Sequence, residues 1–208
     1  MHTPEGRIEC LLDDSAKEYH LSRIESTYVE GLVNSLELGA LQIYQIGREA
    51  YLRNDHKLAY RCERLNRIIN GCHLPSSVYV GRGTDIAYGG LGVLFHAETH
   101  IGDWSTIGTN VSLGGAPVIG DHVYIATGAR IVGHESKIGD FSIIGANAVV
   151  TGDVSPGSIV AGVPAKPIKR ITPENIDGYI GKYFSGKGSG DPVFRERIKE
   201  NFLNVYYR

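Results

Sequence analysis

Four consecutive six-residue steps, Ile101-Gly-Asp-Trp-Ser-Thr, Ile107-Gly-Thr-Asn-Val-Ser, Leu113-Gly-Gly-Ala-Pro-Val and Ile119-Gly-Asp-His-Val-Tyr, repeat a branched aliphatic residue followed by glycine. Six residues turn a helix through roughly 600°, so such positions cannot share one helical face. Simple β alternation does not call for a glycine at every sixth residue either. A short strand, a tight corner that takes glycine or a small polar residue, and another short strand satisfy both constraints. The period therefore predicts a parallel β-helix, in which every six residues make one side of a triangular coil and each aliphatic residue stacks on the next coil.

The phase of the repeat also locates its interruptions. The coils begin near Val80 and Ile86, lose phase across Ala87-Tyr88-Gly-Gly-Leu-Gly92, and resume at Phe95, which implies three extra residues. Downstream the phase runs through Ile125 and Ile131, jumps seven residues to Ile138, and continues to Ile144 and Val150, which places one extra residue near Gly133-His134-Glu135. Insertions in a solenoid project from the surface while the stacked residues stay in register, and projecting loops carry sites.

Before the coils the spacing is helical. Leu21, Ile24, Tyr28 and Leu32 follow the caps Asp14 and Ser15; Leu38–Asn54 offers Leu41, Tyr44 and Tyr51 on one side; Leu58, Cys62, Leu65 and Ile69 follow Asp55. After the coils come Ala161-Gly-Val-Pro-Ala-Lys166, a glycine-rich run at 185–190, and an amphipathic stretch from Val193 to Tyr207 that is expected to pack as a helix. Three regions are thus expected: an α-helical 1–74, a β-helix at 75–170, and an extension at 171–208.

With 208 residues and 42% hydrophobic content there is enough material for a sizeable core, and 21 Lys+Arg against 23 Asp+Glu gives no polyelectrolyte face for nucleic acid. Cys10, Cys62 and Cys72 form neither a disulfide framework nor a paired zinc motif, which suggests a reducing compartment. The charged N-terminus lacks a leader pattern and no apolar run reaches roughly 18 residues, so a cytoplasmic protein without a membrane segment is expected. No His/Cys/Asp cluster has ligand spacing, so no metal is expected.

Several stretches resemble the left-handed β-helix, hexapeptide-repeat acyltransferases, and within them the serine acetyltransferase branch. They are Leu41-Gln-Ile-Tyr-Gln-Ile-Gly47, Val80-Gly-Arg-Gly83, Gly92-Val-Leu-Phe-His96, Asn110-Val-Ser-Leu-Gly-Gly115, Ile125-Ala-Thr-Gly-Ala-Arg-Ile131, Ile144-Gly-Ala-Asn-Ala-Val149 and Ala161-Gly-Val-Pro-Ala165. The resemblance implies acetyl-CoA as co-substrate, a homotrimer with sites between subunits, and room for trimers to pair through the N-terminal helices. It also implies that coenzyme A lies along the coils at small residues matched here by Gly115, Thr127, Ala146 and Gly162. Lys166 is placed to meet a phosphate, with Lys169, Arg130 and Arg170 as further cations.

Acetyl transfer to a hydroxyl needs a base, and histidine titrates near neutrality. His96 takes the glycine position of its step, directly after Phe95, where a side chain leaves the coil at a corner. Aligned on Leu113-Gly-Gly, the branch's catalytic histidine falls near Tyr88-Gly89, where this chain has none, so His96 is read as the base. The branch's orienting carboxylate falls on Cys72 or His73, neither an acid, which leaves Asp85 or Glu98 for that role. His134, at the one-residue insertion, and Tyr88, in the bulge, are the expected acceptor-binding residues. His100 and His122 are expected on the solvated surface and His73 in a structural role. Because Gly115 is followed at once by Ala116-Pro117, the branch's longer loop with its second histidine is missing. This points to a saccharide hydroxyl as acceptor, with serine as the alternative and a non-catalytic trimeric scaffold as a third reading.

Overall fold

The computed structural model describes residues 39–184 and 191–207. The helix expected around 21–32, Cys10, and the run at 185–190 lie outside the described residues.

The coil has three parallel faces. The first stacks β1 (Tyr79–Val80), β4 (His100–Ile101), β7 (Val118–Ile119) and β10 (Lys137–Ile138). The second stacks β2 (Asp85–Ile86), β5 (Thr106–Ile107), β8 (Tyr124–Ile125), β11 (Ile143–Ile144) and β13 (Ser158–Ala161), and ends in the antiparallel β14 (Lys166–Arg170). The third stacks β3 (Leu94–Phe95), β6 (Ser112–Leu113), β9 (Arg130–Ile131) and β12 (Val149–Val150). The steps place their stacked apolar residues inward: Phe95, Leu113 and Ile131 on the third face, and Ile101, Ile107, Ile119 and Ile125 on the others, are all buried. Each such residue contributes about 1.5–3 kcal/mol relative to exposure.

Both interruptions fall where the phase places them. Val80 pairs with Ile101 and Ile86 with Ile107, a longer step than Phe95 to Leu113, so the extra residues lie between β2 and β3. Ile119 pairs with Ile138 and Ile131 with Val150, which absorbs the single residue added between β9 and β10.

The repeated glycine does not make the corner. A Cβ on Gly108 would stand 2.6 Å from the Thr127 nitrogen, and one on Gly81 would strike Gly102, so this position is kept clear for the backbone of the next coil. The left-handed backbone comes two residues later, at Trp104 (φ 58°), Asn110 (φ 56°), Ala116 (φ 57°), His122 (φ 54°), Phe141 (φ 56°) and Asn147 (φ 56°). On the corner between the first and second faces an aspartate ladder joins the coils. Asp103 accepts from the Arg82 N–H at 2.8 Å, Asp121 from Asp103 at 2.7 Å, and Asp140 from Asp121 at 2.9 Å.

Two helices close the top of the stack. α1 (Ala40–Leu52) and α2 (His56–Ile69) pack together, with Asp55 capping α2 by accepting from the Leu58 N–H at 3.0 Å. The buried side of α1 is Ala40, Ile43, Tyr44, Gly47 and Ala50, not the expected Leu41–Tyr44–Tyr51 row, because Gly47 lets α2 approach until a Cβ there would lie 2.9 Å from Cys62 Cβ. Ala40 and Tyr44 share one apolar cluster with Leu74, Val78 and Ile86, so the core runs unbroken from the helices into the coils. A solenoid end needs such a cap, since its last coil has no neighbour.

The C-terminal extension forms helices that pack on their own chain. α3 (Asp177–Tyr183), Phe184 just after it, and α4 (Pro192–Tyr206) place Ile180, Phe184, Ile198 and Phe202 in a second apolar cluster built on Phe141 and Ile143 of the coil.

Candidate active site

The third face is bordered by two corners that between them carry most of the predicted site. Strand alternation turns one residue of each step outward, and on this face the outward row runs His73, Leu94, Ser112, Arg130 and Val149.

One border, the corner following the second face, is a column of small residues: Thr109, Thr127, Ala146 and Gly162. Backbone bonds tie it together, from Gly128 N–H to Thr109 O at 2.9 Å, Asn147 N–H to Thr127 O at 3.0 Å and Val149 N–H to Gly162 O at 3.0 Å. The absence of bulk leaves a shallow track along the coil edge. Tyr88 stands at its upper end, 87% exposed and at φ 52° in the short 3-10 turn Ala87–Gly90. At the lower end Lys166, exposed and paired with Ala161, borders a hollow of about 290 Å³ together with Thr151, Asp153 and Ser155. Thr127, Ala146 and Gly162 thus stand one coil apart on one edge, and Lys166 follows Gly162 on the next strand.

The other border, following the third face, carries His96, Glu98, Gly115 and His134. His96 leaves the coil exposed, its N–H bonded to Leu113 O at 2.8 Å. Its Nδ1 accepts from the Glu98 N–H at 3.3 Å, a long bond in a solvated place. His134 is also exposed. Gly115 has a structural task that the cofactor reading did not include. Its φ is 75°, its carbonyl accepts from Glu135 N–H at 2.6 Å, and a Cβ would come within 2.8 Å of Gly133 O.

Not every predicted residue joins this face. Asp85 projects from β2 onto the second face and lines a groove of about 760 Å³ with Gln42, Gln45, Trp104 and Phe194, so the bulge and β3 separate it from His96. Glu98 alone of the two acids shares the corner of His96. Tyr88 and His134 occupy opposite borders and do not converge on one acceptor in a single chain.

Of the two histidines expected on the solvated surface, His122 differs. His122 is buried at 4% exposure, its ring stacked at 4.6 Å on Phe141, which Phe184 and Phe202 of the C-terminal extension cover in turn. Burial pushes its pKa from the ordinary 6.5 down to about 4, against the pull of Asp121 and Asp103, and Nδ1 finds no partner among the described residues. His100 is exposed but stacks on Tyr79 at 4.3 Å. Cys72, where the resemblance called for an acid, is a buried thiol pushed up to about 11, hence uncharged. The sequence gives His73 a structural role. It heads the outward row of the third face, and the one sequence signal for that was its place just before Leu74-Pro75 at the coil entry. Among the described residues no group of three or more His, Cys, Asp or Glu side chains could hold a metal.

No model of a protein family matches the chain. Curated proteins do. The serine acetyltransferase of Staphylococcus xylosus is 30% identical over 202 residues, 93% of this chain and 89% of that protein. The serine acetyltransferase of Helicobacter pylori strain J99 is 34% identical over 139 residues, 63% of this chain and 80% of that protein. Among solved structures, the serine acetyltransferase of Neisseria gonorrhoeae superposes with a TM-score of 0.59 at 32% identity, covering 62% of this chain and 54% of that one. A serine acetyltransferase in complex with CoA gives 0.59 at 28% identity, with 62% and 55% covered. The chain thus spans about half the length of those solved chains.

These relatives overturn the expected saccharide acceptor. That expectation rested on one shortened corner, where Ala116 takes the left-handed turn and Pro117 returns directly to β7. A relative aligned along nearly the whole chain keeps the serine acetyltransferase name across far more sequence than that corner, and on that match the chain belongs to the serine acetyltransferase family.

Proposed function

We propose that this protein is an acetyl-CoA-dependent O-acetyltransferase whose acceptor is the hydroxyl of serine. The alignment over 93% of the chain with a serine acetyltransferase carries this reading. The small-residue track with Lys166 at its foot supports it, because a thioester on a long arm needs backbone clearance along the arm and a cation at the phosphate end.

In the reaction, His96 takes the proton from the serine hydroxyl as the oxygen attacks the thioester carbonyl, and then returns it to the departing thiolate. A positioned base contributes about 10²–10⁴-fold. With Nδ1 accepting from the Glu98 N–H, the neutral ring carries its proton on Nε2. The base role therefore requires the ring to leave that bond and present a lone pair, a small cost for one 3.3 Å contact in water. Glu98 is the acid on hand to orient it. Arg130, in the middle of the third face, is the cation suited to a serine carboxylate.

Among the described residues the first and third faces carry no helix of the C-terminal extension, and we assign them to contacts within a homotrimer that would bring the Tyr88 border of one subunit towards the His134 border of the next. No helix of the described residues is long and apolar enough to cross a membrane; the cytoplasm is the proposed location.

Coenzyme A release measured with a thiol reagent tests the acceptor. Acetyl-CoA with L-serine is expected to release thiol well above the rate without acceptor. Release that serine does not increase would refute the assignment.

A further inference from the structure

His73 is held in one protonation state by a neighbour that can only donate. The Arg67 guanidinium reaches its Nδ1 through Nε at 3.2 Å and through the terminal NH2 at 2.9 Å. Arginine has no acceptor and does not deprotonate, so Nδ1 must offer its lone pair and the ring proton must sit on Nε2. Burial opposes a second proton, and the same cation adds to that. Together they hold the His73 pKa below its ordinary value, with only Glu63 pulling the other way. Glu63 itself is engaged, accepting from the Ser76 N–H at 2.8 Å.

The backbone fixes where this imidazole stands. His73 N–H donates to Val93 O at 2.9 Å and His73 O accepts from Phe95 N–H at 2.9 Å, so the residue is clamped on both sides of Leu94, at the strand that delivers His96. It begins the outward row of the third face, and no described residue takes up its Nε2–H. A half-buried, uncharged N–H donor thus stands one coil, about 4.8 Å, above the start of the strand that leads to the base.

We propose that His73 is the hydrogen-bond donor to the oxyanion of acetyl transfer, its Nε2–H kept available by Arg67. The role rests on the serine acetyltransferase reading above. As the serine oxygen bonds to the thioester carbon, its proton passes to His96 and the carbonyl electron pair moves onto oxygen, where the His73 Nε2–H meets it. Collapse restores the carbonyl, breaks the carbon–sulfur bond, and the thiolate takes the proton from His96. A neutral donor suits this step because it stabilises the developing charge without competing for the proton that the base must handle.

The test compares His73→Ala, His73→Gln and Arg67→Met in the full-length protein, with acetyl-CoA and L-serine. Loss of one oxyanion donor predicts a fall of about 10²–10³-fold in kcat for His73→Ala, with both KM values within about threefold of wild type. Glutamine, whose amide N–H stands close to Nε2–H, should recover at least about tenfold of that loss, which a packing role would not produce. In Arg67→Met the ring becomes protonatable, and the acid limb of the kcat profile should move to higher pH. Nitrogen NMR of the wild type should show a neutral Nε2–H ring at pH 6.5 without any substrate. A kcat for His73→Ala within threefold of wild type, a change confined to KM, or a charged or Nδ1–H ring at pH 6.5 overturns the role alone. Wild-type protein that does not use serine overturns the functional reading and this role with it.

Discussion

His122 should make the fold sensitive to acid in a calculable way. Its pKa drops from 6.5 in the unfolded chain to about 4 in the folded one. Between those values the unfolded state binds a proton that the folded state refuses, so stability falls as pH drops from about 6.5 to 4 and is flat with respect to this group below that. At 1.36 kcal/mol per pKa unit the loss is about 3 kcal/mol. His122→Phe removes it. A phenyl ring fits the backbone, since Trp104 and Phe141 occupy the same corner position at φ 58° and 56°, and it can keep the stack on Phe141. It also removes the buried, unpartnered Nδ1, a defect worth about 1–3 kcal/mol. Urea unfolding of both proteins at pH 7.5, 6, 5 and 4 separates this group from the carboxylates, which titrate in both. The variant should match or exceed wild type at pH 7.5, and its advantage should grow by about 3 kcal/mol by pH 4. Parallel stability curves across that range would refute the reasoning.

Further outcomes follow from the coil. Gly108→Ala should cost about 2 kcal/mol, because the added carbon would press on the Thr127 backbone nitrogen, while Gly152→Ala, with open space around it, should be close to neutral; thermal melts of the two variants check this. Thr127→Trp should raise KM for acetyl-CoA at least about tenfold without lowering the melting temperature, since the exposed ring would lie across the small-residue track. His96→Ala should lower kcat about 10²–10⁴-fold, and an undiminished rate would remove His96 from the mechanism.

The coil was legible because its information is local. A residue stacks on the residue one coil away at a fixed separation, so the phase of Ile101, Ile107 and Leu113 determines which residues face inward, and a break in phase locates an insertion. Asp55 and the row behind it announced α2 in the same local way. What depends on distant packing was not legible. His122 is buried against Phe141, itself covered by Phe184 and Phe202 from far along the chain. Asp85 seemed close to His96 in number, yet the two lie on different faces because a corner and a strand intervene. The buried side of α1 follows from the small Ala40, Gly47 and Ala50 as well as from Ile43 and Tyr44, and a spacing of large apolar residues alone does not register the small ones. For the acceptor, one absent loop weighed too much against similarity spread along the whole chain.

The two insertions have a use apart from what they display. Coils that repeat the same aliphatic residue, glycine and aspartate could in principle zip together one turn out of step and lose little, since each rung looks like the next. The three-residue bulge between β2 and β3 and the extra residue between β9 and β10 make the turns unequal in length. A slipped pairing would then force a long turn against a short one and strand the aspartates away from the N–H groups they accept. The irregular turns thus act as index marks on an otherwise degenerate ladder, selecting the one alignment in which every rung meets its own neighbour.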